Sequence, residues 1–166
     1  MNNRLGSFKN QKNIEQQEIH SKQPIDIDKI EVLICIESLL AVCCQTLAAQ
    51  MHHQAARQEC QQFEQRAQYH QQELRKIFPI SEKSEVAIEN RIYKYLLQLN
   101  PSHLPLKAVM NLDINLTALA IDIYKHFSRT FQEHHGLLKN FLEDNVEEMD
   151  FLCQEKQLHQ NRLDTY

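Results

Sequence analysis

Glu37, His70, Tyr124, His126 and the pair Glu147-Glu148 are the residues of this 166-residue chain whose types and spacing could do chemistry. Each lies on or beside an apolar stripe of helical period, so each can aim a carboxylate, imidazole or phenol into a dry interior. A buried Glu facing a buried His has two uses. The pair makes a charge-assisted hydrogen bond that fixes register, or it joins further donors at the same level to hold an ion. The candidate metal ligands are Glu37, His70, His126 and Glu148, with Tyr124 as the alternative to His126, and such donors suit Fe, Mn or Zn. A third reading turns these groups outward to water.

The remaining polar signals point less clearly to chemistry. His52-His53 and His134-His135 are adjacent pairs, and neighbours on a helix diverge by about 100°, so neither pair chelates one ion as helix residues. They suit the ends of helical hairpins. Glu155 and His159, four apart, share one helix face as two ligands or as a solvated pair. Gln61, Gln62, Gln65, Gln68, Gln71 and Gln72 form a glutamine-rich face that is either solvated or offered to a partner helix. No nucleophile elbow is present, and with only Gly6 and Gly136 no glycine-rich phosphate loop can form.

Composition narrows the classes further. The 18 Lys and Arg are scattered and the net charge is −4, which lacks the basic footprint of a nucleic-acid binder. The five cysteines are odd in number and contain no CxxC; Cys43 and Cys44 sit in an apolar run, where a free thiol packs as a small hydrophobe. A reducing, cytoplasmic compartment fits. The first residues show no apolar signal region, and no apolar run is read as approaching the ~20 residues of a membrane span.

These side chains need long helices to position them. All four prolines lie outside 25–78 and 106–166, two stretches filled with Leu, Ala, Gln, Glu and Lys. Residues 1–24 are too polar to bury a face and are expected to be a disordered tail, with one helical domain over 25–166. Asp28 and Glu31 suggest a capping box before the run Ile30 to Val42. The stripe Leu33, Glu37, Leu40, Cys44, Leu47, Met51 steps by four and three. It resumes out of phase at Ala56, Cys60, Phe63, Ala67, His70, Leu74, so a turn is expected at His52-His53-Gln54. Pro79 ends the second helix, Ser81 caps a short one, and Asn100-Pro101 stops it. Leu116, Ala120, Ile123, Tyr124 and Phe127 mark a third long helix from about 113, ended by Gly136 at a C′ position. A fourth runs on through Phe141, Glu148 and Leu152.

Two hairpins, about 28–78 and 113–163, joined by a long connector with its own short helix, make an all-α, antiparallel four-helix bundle with one crossover. This topology, the helix lengths and the texture of FLEDNVEEMDFL near the end resemble the ferritin-like superfamily over most of 28–163. The resemblance implies a two-metal centre with a Glu from each of two helices and Glu-x-x-His from the other two. Here the chain departs from the pattern. Ala67 stands three before His70, Phe151 stands three after Glu148, and no Glu-x-x-His occurs anywhere.

Two functions are expected from these features. The first is a non-enzymatic module acting through protein contacts, as a homo-oligomer or with a partner protein, and needing no cofactor. The second is a divergent ferritin-like protein with a metal-linked redox or storage role through Glu37, His70 and Glu148.

Overall fold

The computed structural model describes residues 27–163, so the expected tail over 1–24 lies outside the described residues. Five α-helices follow in order: α1 (Ile27–Gln50), α2 (Gln54–Ile77), α3 (Glu82–Leu99), α4 (Leu106–Thr130) and α5 (His135–Leu163). Short 3-10 turns precede α4 (Pro101–His103) and α5 (Gln132–His134). Among the described residues there is no strand, and the chain is all-α.

The turn between α1 and α2 falls at Met51–His53, where the stripe changed phase. Ser81 caps α3 as expected, its hydroxyl accepting from the Ser84 amide at 3.2 Å. Asn100, in the left-handed region at φ 41°, ends α3, and Pro101 follows. Three boundaries differ. Asp28 lies within the first turn of α1 rather than before it, so it meets the positive end of the helix dipole instead of capping from outside. α4 begins at Leu106, seven residues earlier than expected, because Pro105 already starts the helix and Val109 and Met110 extend its buried face. Gly136 is not a C′ residue. Phe131 caps α4, the 3-10 turn takes up His134, and Gly136 sits in the first turn of α5 without positive φ.

α1 is the core of the molecule. It packs against α2, α4 and α3, while α4 packs along α5 and α2 meets α5 only sparsely. A helix walled on three sides must be apolar nearly all round. Ile30, Leu33, Ile34, Ile36, Leu39, Leu40, Cys43, Leu47 and Ala48 are accordingly all buried. This corrects the reading that no apolar run is long enough to cross a membrane: Asp28–Gln50 passes that test by length and composition, with a mean hydropathy of 2.1. The Glu and Gln residues that interrupt the run do not lower its average enough. Its apolar residues are the ones that line the core, 78% of the most apolar window being buried inside the molecule.

Side-chain pairs set the helix directions. Glu37 meets Tyr124 and Cys44 meets Asp113, so α4 runs down as α1 runs up. Phe78, just after α2, packs on Phe127 and Phe131 at the end of α4. Leu104, just before α4, accepts a hydrogen bond from Gln50 at the end of α1. Residues 78–105, with α3, therefore carry the chain from one end of the core to the other.

Candidate functional site

Helical spacing gathers two sets of polar groups inside the helices. α1 supplies Glu37 and, two turns on, Cys44; α4 supplies Asp113, Thr117 and Tyr124 on one face; α5 supplies Asp144, Asn145 and Glu148; α2 supplies His70. All of these except Asp144 are buried.

The first set is built on His70. Its Nδ1 lies 3.3 Å from Glu37 Oε1 and its Nε2 3.0 Å from Asp144 Oδ2, while its ring lies 4.1 Å from that of Phe141, centroid to centroid. Tyr124 donates to the same Glu37 oxygen at 2.6 Å. Burial works against the imidazolium, but the hydrogen bonds to Asp144 and Glu37 outweigh it and push His70 up to about 9. His70 is therefore a cation at neutral pH that donates from both nitrogens. The hydrogen bond from His70 also holds Asp144 below the usual carboxylate range. Arg66 closes the set at the surface, 2.7 Å from Glu147 and 3.7 Å from Asp144. Among the described residues Glu37 Oε2, in a residue only 1% exposed, has no hydrogen-bond partner, and neither has Asn145 Oδ1.

The second set is Cys44, Asp113 and Glu148. The Cys44 thiol lies 3.0 Å from Glu148 Oε1 and 3.6 Å from Asp113 Oδ2, and all three ligand atoms lie within 4.8 Å of one another. Thr117 donates to the Asp113 backbone carbonyl at 2.9 Å and approaches its Oδ1 at 3.3 Å. Burial, then the neighbouring Glu148, raises Asp113 well above the carboxylate range; burial pushes Glu148 up to about 7. Burial likewise raises the Cys44 thiol, and takes nearby Cys60 up to about 12. Among the described residues no Lys, Arg or His hydrogen-bonds either carboxyl group of this set. The two sets feel each other, since the charge on Glu37 raises Glu148 and that on His70 lowers it.

The expected ligand layer is thus split. Glu37, His70 and Tyr124 come together, Glu148 belongs to the adjoining set, and Glu147 pairs with Arg66 at the surface. His126 does not take part. It is exposed, one residue before the inward Phe127 whose ring it touches, because the buried face of α4 runs through Ala120, Tyr124 and Phe127. Sequence reasoning missed Asp113 by starting the helix there, although Asp113 stands in phase with Leu116, Ala120 and Tyr124. It also took Cys44 as a small hydrophobe. Asp144 carried no signal, since it lies at the edge of the buried face of α5.

Compared with family models, with curated proteins and with solved structures, the chain matches none.

Proposed function

We propose that the chain is a metal-binding helical protein, an antiparallel four-helix bundle with one crossover in the ferritin-like manner, holding a single transition ion at Cys44, Asp113 and Glu148. The observation that carries this is the approach of three different donors, from three helices, to within 4.8 Å at full burial. Two acidic groups and a thiol packed together without a cationic hydrogen-bond partner are costly, and an ion supplies the missing positive charge. A thiolate with two carboxylates suits Zn²⁺ or Fe²⁺ better than Mg²⁺ or Ca²⁺.

The two-metal centre implied by the ferritin-like resemblance does not fit these residues. Both nitrogens of His70 are engaged, Ala67 fills one motif position, and Phe151 fills the other with its ring 5.4 Å from that of Phe63. The test is reconstitution of chelator-treated protein with Co²⁺ followed by absorption spectroscopy and elemental analysis. One ion per chain with a thiolate-to-cobalt band, lost in Cys44→Ser and Asp113→Asn, is expected. A spectrum unchanged by Cys44→Ser defeats the reading.

A second reading, a module acting through protein contacts, has its own support on α3. Val86, Tyr93 and Leu97 stand at i, i+7 and i+11 on one face and are 57%, 66% and 64% exposed, while Ile88, Ile92 and Leu96 turn toward the core. Light scattering on the purified chain should then show an assembly that Tyr93→Glu with Leu97→Glu dissolves. A monomer that retains no partner protein counts against it.

A further inference from the structure

The two sides of α3 differ in kind. Toward the core it is held by Ile88, whose backbone carbonyl lies 3.9 Å from the Cys35 thiol, by Ile92, and by the ion pairs Arg75–Glu85 at 3.0 Å and Arg91–Glu31 at 3.4 Å. Along the opposite side run Val86, Asn90, Tyr93 and Leu97, all exposed and spaced by four, three and four. That spacing is the seam of a coiled coil, with Val86 and Tyr93 at d and Asn90 and Leu97 at a of a heptad abcdefg. The same lettering puts Glu89 at g and Lys94 at e, on opposite flanks of the seam. Both are exposed, and among the described residues Glu89, Asn90 and Lys94 have no hydrogen-bond or ion-pair partner.

We propose that this seam pairs α3, parallel and in register, with α3 of a second copy of the chain. The proposal rests on reading the chain as a module acting through protein contacts, and it names the partner and the geometry. Charge selects the orientation. In a parallel pair the g residue of one helix lies beside the e residue five further along the other, so Glu89 of each copy meets Lys94 of the other, twice by symmetry. In an antiparallel pair like flanks meet, which sets the acidic flank of Glu82 and Glu89 against itself. Asn90 adds a second signal. An Asn at an a position meets its own counterpart when two helices are parallel and in register, and it specifies that arrangement at some loss of stability. Lys83, the preceding a residue, lies in the first turn, where its long stem lets the ammonium reach water. The 18 residues of α3 are few for a free coiled coil, but α1 already holds α3 as a helix, so pairing does not have to supply its ordering.

The test uses the full chain with Cys153→Ser, which removes the exposed thiol, and crosslinks it through single added cysteines under mild oxidation. Val86→Cys and Leu97→Cys should each form a disulfide-linked dimer with its own counterpart. A mixture of the two should yield little mixed product, because about 16 Å of helix separates the two positions. Sedimentation equilibrium should give a dimer whose Kd rises about tenfold in Glu89→Lys and in Lys94→Glu, and returns toward the starting value when both changes are combined. Glu89 and Lys94 are exposed, so neither change touches the core. Mixed Val86–Leu97 disulfides alone, statistical mixing of all three products, or a tighter dimer in Glu89→Lys would overturn the parallel pair while leaving an interaction module standing. A monomeric chain that binds a different protein through Tyr93 and Leu97 overturns the choice of partner. A monomer that retains no partner removes the underlying reading as well.

Discussion

His70 is the one buried cation of the interior polar network, and its titration should be visible in the stability of the whole chain. Its folded value, about 9, lies above the ordinary 6.5. The stabilisation it contributes is therefore complete below about pH 6.5 and is lost as pH rises through about 9. Glu148, raised from 4.5 to about 7, acts with the same sign lower down, so the wild-type curve falls in both windows. The difference between wild type and His70→Gln isolates the imidazole: in urea melts with chelator present, the two midpoints should converge between pH 6.5 and 9. A constant gap would mean that His70 is neutral throughout. Tyr124→Phe tests the other donor to Glu37. Removing a buried hydrogen bond to a carboxylate, with Glu37 Oε2 already unpartnered, should cost about 1.5–3 kcal/mol in the same melts. At this scale the sequence exposed Glu37, His70 and Tyr124 because they sit in phase with apolar stripes. It hid Cys44, since a thiol on a stripe reads equally as a hydrophobe, and nothing local announces which acids stand opposite it.

Helix boundaries were legible where the backbone chemistry is local and illegible where packing decides. The phase slip between Met51 and Ala56 located the first turn, and Ser81, Asn100 and Pro101 punctuated α3 through their own backbone preferences. Pro105 carried no comparable signal for the start of α4, because the residues after it reveal themselves as core only once α1 lies against them. Gly136 misled for a related reason. Glycine is common just past a helix end, but here Phe131 and a 3-10 turn close α4, and Gly136 spends its freedom inside the first turn of α5. The two placements predict opposite outcomes for Gly136→Ala. A left-handed C′ glycine would be destabilised by about 1 kcal/mol. A helical glycine whose added Cβ meets nothing within 4 Å should gain about 0.5–1 kcal/mol. A thermal melt showing a raised midpoint is the expected result. α1 supplies the contrasting case: Leu40 and Leu47 are wholly buried between three helices, so either one replaced by Ala should cost about 2–5 kcal/mol.

For the molecule as a whole, the tension lies between a central helix that is apolar nearly all round and an acidic cluster set against it. Asp113 and Glu148 meet beside Cys44 with both carboxyl groups raised by burial, which is a state the fold bears rather than one that stabilises it. Neutralising one member should relieve that cost. Asp113→Asn keeps the shape and the approach of Thr117 while removing one acid, so in chelator its melting midpoint should equal or exceed that of wild type. Addition of Zn²⁺ should reverse the ranking. An ion that binds only the folded chain adds about 2.7 kcal/mol at a hundredfold excess over its Kd, or several degrees for a chain of this size. Wild type should gain that shift, rising with Zn²⁺ concentration, and Asp113→Asn should gain little. If Asp113→Asn melts well below wild type in chelator, the cluster is a structural hydrogen-bond network. If both proteins shift equally with Zn²⁺, the ion sits elsewhere. The opposed rankings, with and without the ion, are what separate a site held at a cost for binding from a core that merely tolerates its acids.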